Sequence, residues 1–191
     1  MLKLIACWAA VLLLSVAAGA QNKFDISLKN NSETETRTRE RLEKILRQYD
    51  LTRWTFTRKI LIEDKVIPHS HPVLTLSTRG DEDALLSTFV HEQIHWFLDE
   101  HSERTEKAKA ELKALYPKVP VGPPDGARSE ESSYLHLLVN YLEYEAMKEL
   151  LGEEKAKGLL GGKMYYKWLY KTVLTDTNRI KEVVERNKLR I

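Results

Sequence analysis

Cysteine is nearly missing from this chain: its one residue, Cys7, lies inside the apolar stretch from Leu4 to Val16. An intramolecular disulfide framework is therefore excluded, and the fold must rest on an ordinary hydrophobic core, for which residues 21–191 suffice as one domain. An excess of either charge is missing too. The full chain carries a formal +2, which leaves no electrostatic footprint for nucleic acid or an anionic membrane surface. Internal repeats and low-complexity tracts are also absent.

Long hydrophobic runs are limited to that first stretch. Met1-Leu2-Lys3 precedes it and Ala17-Ala18-Gly19-Ala20 closes it, the pattern of a secretory signal peptide over residues 1–20 with cleavage before Gln21. The run is short for a transmembrane anchor and has no basic stop-transfer flank. The expectation is a periplasmic or extracellular protein with no membrane anchor after signal cleavage. Loss of the leader removes Cys7, and loss of Lys3 takes the charge from +2 to +1.

Residues 21–34 are polar and read as an extended lead-in. Residues 35–49 place Leu42, Ile45 and Leu46 on one stripe of an amphipathic helix. The stretches 51–56, 59–67 and 73–77 are rich in β-branched and aromatic residues and read as strands of a small sheet. Gly80 and Asp81 then open a helix that runs to about residue 116, with a break near Ser102. Residues 117–128 hold Pro117, Pro120, Gly122, Pro123, Pro124 and Gly126 and form a loop. A second apolar helix spans 129–151, and helical signal returns over 164–188 with Tyr165, Tyr166, Trp168 and Tyr170. The pattern predicts an α+β fold, a small mixed sheet packed on two successive helices that carry the candidate site.

Those helices hold the chemistry. His91-Glu92-Gln93-Ile94-His95 reads H-E-x-x-H. Positions four apart lie one turn above each other on a helix, so His91 and His95 can offer two imidazoles to one zinc ion. Glu92 points about 100° round the axis, towards a water on the metal, and is the candidate general base. Thr88-Phe89-Val90 before the motif and Trp96-Phe97-Leu98 after it make this a buried helix, on which unpartnered polar groups would each cost about 2 kcal/mol or more.

A catalytic zinc takes a third protein ligand. On the second helix, His136, Asn140, Glu143 and Met147 follow one another by four, three and four, so a polar line runs down an apolar helix. His136 and Glu143 lie within roughly 20° of each other about its axis. Glu143 is the leading candidate. The other is His101, ten residues after His91, which needs a sharp turn at Leu98, where a leucine disfavours positive φ. His136, Tyr166 and Tyr170 are candidate donors to a reaction oxyanion.

With these residues the chain resembles the zincin metallopeptidases over roughly residues 51–150, and within them the gluzincins, whose third ligand is a glutamate on a separate downstream helix. The resemblance implies a zincin-like metallopeptidase domain over 21–191, with Zn2+ held by His91, His95 and Glu143, Glu92 as the base and a peptide or protein as substrate. It also implies that the edge strand beside the active-site helix, residues 73–77, holds the substrate as an added strand, with His69 and His71 at its entrance. The rival readings are a non-catalytic zinc-binding envelope protein of the same fold and a helical periplasmic chaperone or adaptor without metal.

Overall fold

The computed structural model describes residues 23–191; the expected leader and its cleavage site lie outside the described residues. Local sequence explains where each element starts. Strand β1 (Asp25–Leu28) leads into helix α1 (Glu33–Gln48), which opens on a capping box in which the Ser32 side chain accepts from the Glu35 N–H and the Glu35 carboxylate accepts from the Ser32 N–H. Strands β2 (Lys59–Glu63) and β3 (Leu74–Ser77) follow, and the sheet order is β1-β2-β3 with both pairings parallel.

Three departures from the sequence reading have plain causes. The polar lead-in contains β1, whose half-buried Ile26 and Leu28 alternate with exposed Asp25 and Ser27; four residues give too little period to read. Residues 51–56 form no strand. The Asp50 side chain accepts from the Thr52 N–H, and a short 3-10 turn at Thr52–Trp54 buries Trp54 instead. The three named strands are all parallel, and among the described residues antiparallel pairing is confined to one bridge in which His69 and Thr75 exchange backbone hydrogen bonds on the outer side of β3. An α+β fold is what forms, with a parallel sheet where a mixed one was expected.

Helix α2 (Glu82–Glu100) starts where Asp81 caps the Ala84 N–H and ends where His101 Nδ1 and Thr105 Oγ1 take the Phe97 and Leu98 carbonyls. Helix α3 (Ser102–Leu115) continues after that break. Helix α4 (Glu130–Leu151) is capped by Ser129 and stopped by Gly152 at φ +84°, a left-handed angle that a residue with a side chain resists. It is buried nearly all round because it packs against α2, α3, and the three later helices α5 (Glu153–Gly161), α6 (Lys167–Thr175) and α7 (Thr177–Arg186). Asp176 breaks the expected single C-terminal helix into α6 and α7. Among the described residues, no helix is long and apolar enough to cross a membrane.

The loop before α4 is fastened to that helix. Ser133 donates to the Pro120 carbonyl and accepts from the Ala127 N–H, and Gly126 lies so close to Pro120 that a Cβ would sit 1.9 Å from its carbonyl oxygen. Gly126→Ala must push the loop off α4. A loss of about 1–3 kcal/mol in stability is expected, read as a lower urea midpoint at unchanged slope; an unchanged midpoint would show that the loop relaxes freely.

Candidate metal centre

Helices α2 and α4 run antiparallel, and this pairing builds the site. Towards one end His95 faces His136, with ring centroids 5.1 Å apart; towards the other Ser87 meets Glu143. His91 stands between. Its ring is 5.2 Å from that of His95 and 5.6 Å from that of His136. One nitrogen from each of the three rings lies within 4.8 Å of the others, a spacing that side-chain rotation can close onto a single ion with bonds of about 2.0–2.1 Å.

The free nitrogens are set by what the other nitrogens do. His136 Nδ1 is 2.7 Å from the Ser132 carbonyl, which can only accept, so Nδ1 carries the proton and Nε2 keeps its lone pair. His91 Nδ1 is 2.9 Å from Glu143 Oε2, and the same logic leaves its Nε2 for a ligand role. Burial, with the neighbouring histidines adding, holds His95 well below the ordinary imidazole value and brings His136 down to about 4. Both are neutral at neutral pH, the form that binds metal.

Glu143 stands apart from the three-nitrogen cluster. Burial pushes its carboxyl up, but Lys163, His91 and the hydrogen bonds it accepts together outweigh burial and bring it down to about 2. Its oxygens are already engaged. Ser87 Oγ and Lys163 Nζ approach Oε1, the lysine at 3.5 Å, while His91 Nδ1 and the Tyr170 hydroxyl hold Oε2, the latter at 2.7 Å. The sequence reading expected Glu143 beside His91 and His95 as the third ligand; the side chain that clusters with them in the structure is His136. The two α4 residues do share a face, but seven positions on a helix span about 10.5 Å, and in this fold His136 lies against His95 while Glu143 Oε2 is taken up by Nδ1 of His91. Glu143 backs His91 from behind and fixes its ring; in doing so it outweighs the effect of burial on His91 and raises that imidazole.

His101 lies elsewhere. Leu98 stays helical and buried, and the His101 ring packs on Phe97 at 4.5 Å. Tyr170 is spent on Glu143 and is buried, so it is not an oxyanion donor facing substrate. Tyr166 is different. It adopts φ +59° and ψ 31°, a left-handed conformation that costs a tyrosine about 1–2 kcal/mol, and that backbone lays its ring 4.4 Å from His136. Its hydroxyl has no hydrogen-bond partner among the described residues.

Glu92 is 5 % exposed, and it makes no hydrogen bond or ion pair among the described residues. Burial raises its carboxyl, His91 opposes and Glu143 adds to the rise. An unpartnered carboxylate is costly in such a place and marks a site built for chemistry more often than for stability. The charge of His69 also bears on Glu92, while His71 stacks on Trp96 at 4.2 Å and Trp96 Nε1 donates to the Ser70 carbonyl. Segment 64–73 therefore wraps the outer side of α2. It also occupies the edge of β3 that was expected to take a substrate strand, since both Thr75 backbone groups pair with His69.

The donor set is compatible with a metal ion: three imidazoles, two of them fixed in tautomer by a hydrogen-bond acceptor behind the ring. No protein-family profile, no curated protein and no solved structure matches the chain.

Proposed function

We propose that the protein is a zinc-dependent hydrolase of peptide bonds, with His91, His95 and His136 as the metal ligands and Glu92 as the general base. The observation that carries this reading is the convergence of three imidazoles beside a buried carboxylate, Glu92, that makes no hydrogen bond or ion pair among the described residues. A purely metal-binding module needs the ligands but not Glu92. Zinc, when bound, supplies a Lewis acid for the scissile carbonyl and acidifies a water molecule.

The rest of the work falls to the chain itself. Glu92, held above the ordinary carboxyl range by burial, accepts the proton of the attacking water and returns it to the leaving amine. Glu143 keeps the His91 Nδ1 proton in place and so holds Nε2 towards the ion. Tyr166, kept neutral by burial and by the charge of Glu92, donates from its hydroxyl to the developing oxyanion.

Two measurements test the reading. Metal analysis of the purified protein is expected to give one zinc per chain, and digestion of a peptide library is expected to depend on it; a protein that loads zinc but cuts nothing would overturn the catalytic assignment. Tyr166→Phe is expected to lower kcat by about 10²-fold with KM and zinc content unchanged. A fall in zinc content instead would place Tyr166 in the support of His136.

A further inference from the structure

Lysines on this chain pair mostly with exposed acids. In the other lysine ion pairs among the described residues the acidic side chain is at least 32 % exposed, and pairs of that kind contribute little. Lys163 is different. Its ammonium lies 3.5 Å from Oε1 of Glu143, a side chain with no exposed surface, and its own side chain is only 23 % exposed. The same nitrogen is 6.0 Å from the centroid of the Tyr170 ring, whose hydroxyl donates to the other oxygen of that carboxylate. Ser87, Tyr170 and the His91 imidazole give Glu143 its hydrogen bonds, while Lys163 gives it a counter-charge. The backbone that carries the lysine is fastened on both sides. The Lys163 N–H donates to the Leu160 carbonyl at the end of α5, and the Lys167 N–H at the start of α6 donates to the Pro124 carbonyl.

We propose that Lys163 is an internal counter-ion of the metal centre, a positioning residue that acts through Glu143 to stabilise the metal-free site and to hold down its affinity for zinc. The proposal rests on the ligand assignment in the reading above and not on its catalytic part. A fully buried carboxylate without a cation is strongly destabilising. Before an ion arrives, Lys163 answers that charge at Oε1 while Oε2 stays on His91. A divalent ion held by the three imidazoles is itself attracted to the carboxylate behind His91, and it is repelled by the ammonium beside that carboxylate. Any group that stabilises the metal-free state more than the loaded state lowers affinity by linkage. Taking away the Lys163 charge therefore has two effects of one sign on zinc binding. The metal-free protein loses its counter-ion, and the ion meets a carboxylate whose charge is no longer balanced.

Lys163→Met keeps the apolar stem and removes the charge. Zinc affinity is read by competition with a chromophoric chelator, and stability by the urea midpoint of the full mature chain with and without zinc. The variant is expected to bind zinc about tenfold more tightly than the parent, with a lower midpoint in the metal-free protein and a smaller loss in the loaded one. Lys163→Arg restores the cation and is expected to return both values towards the parent. Lys155→Met removes the same charge from an exposed pair with Asp83 and should leave zinc affinity unchanged. A site that lysine supports only structurally would bind zinc more weakly once it is cut away, so unchanged or weaker binding in Lys163→Met would overturn the proposal. Equal tightening in Lys155→Met would overturn it as well. Where Lys163→Met folds only in the presence of zinc, as the proposal allows, Lys163→Gln carries the affinity measurement; failure of both variants to fold even with zinc would refute the counter-ion role. A parent that binds no zinc would refute the ligand assignment and this proposal together. A parent that binds zinc but cuts no peptide would refute the hydrolase, and tighter zinc binding by Lys163→Met would then still sustain the counter-ion.

Discussion

Glu92→Gln is expected to leave one zinc per chain and a folded protein while peptide hydrolysis falls by about 10²–10⁴-fold. The amide keeps the size of the carboxylate and removes its ability to take a proton, and Glu92 makes no hydrogen bond or ion pair among the described residues whose loss would confuse the result. Stability should hold or rise, because a buried carboxylate without a hydrogen bond gives way to a neutral group. The check is kcat on a cleaved peptide alongside metal content and a urea midpoint. Activity close to that of the parent, with zinc retained, would take Glu92 out of the mechanism and leave a metal-binding protein.

The second large effect separates the metal ligands from the group behind them. His136→Ala removes one of three nitrogens and is expected to abolish stoichiometric zinc, as His91→Ala and His95→Ala should. Glu143→Gln keeps the shape of the carboxylate but weakens its hold on the His91 ring, and it is expected to reduce zinc affinity by about 10–100-fold without abolishing it. The glutamine is preferred to alanine because an empty position would strand His91, Tyr170, Ser87 and Lys163 together in the core. His101→Ala should leave zinc untouched, since that ring packs on Phe97. Competition titration with a chromophoric chelator reads all of these. Stoichiometric zinc in His136→Ala with none in Glu143→Gln would restore the glutamate as the ligand.

Tyr166 and His136 show how far a sequence can be read. His136 is visible as part of a polar line on an apolar helix, and the angular spacing correctly puts it on the face that Glu143 shares. The axial register of α4 against α2 is not visible. It decides which of the two residues meets His95, and it comes from how the two buried helix surfaces interlock over their whole length. Tyr166 likewise has no local signature: a tyrosine before a helix is ordinary until its backbone turns left-handed and lays the ring on His136. Segment 64–73 carries β-branched and histidine residues that suggest a strand and a solvated loop, yet its bridge to Thr75 closes the edge of β3.

By itself the sequence determined the α+β class, the extents of α1 and α4 to within two residues, a break near Ser102 after α2 and the one-turn spacing of His91 and His95, because each depends on periodicity, capping or spacing within a single element. Only the tertiary structure decided that His136 completes the cluster, that Glu143 stands behind His91 and that Glu92 has no hydrogen-bond partner among the described residues. Those relations join residues tens of positions apart, and packing between elements, which no local spacing encodes, sets the distances between them.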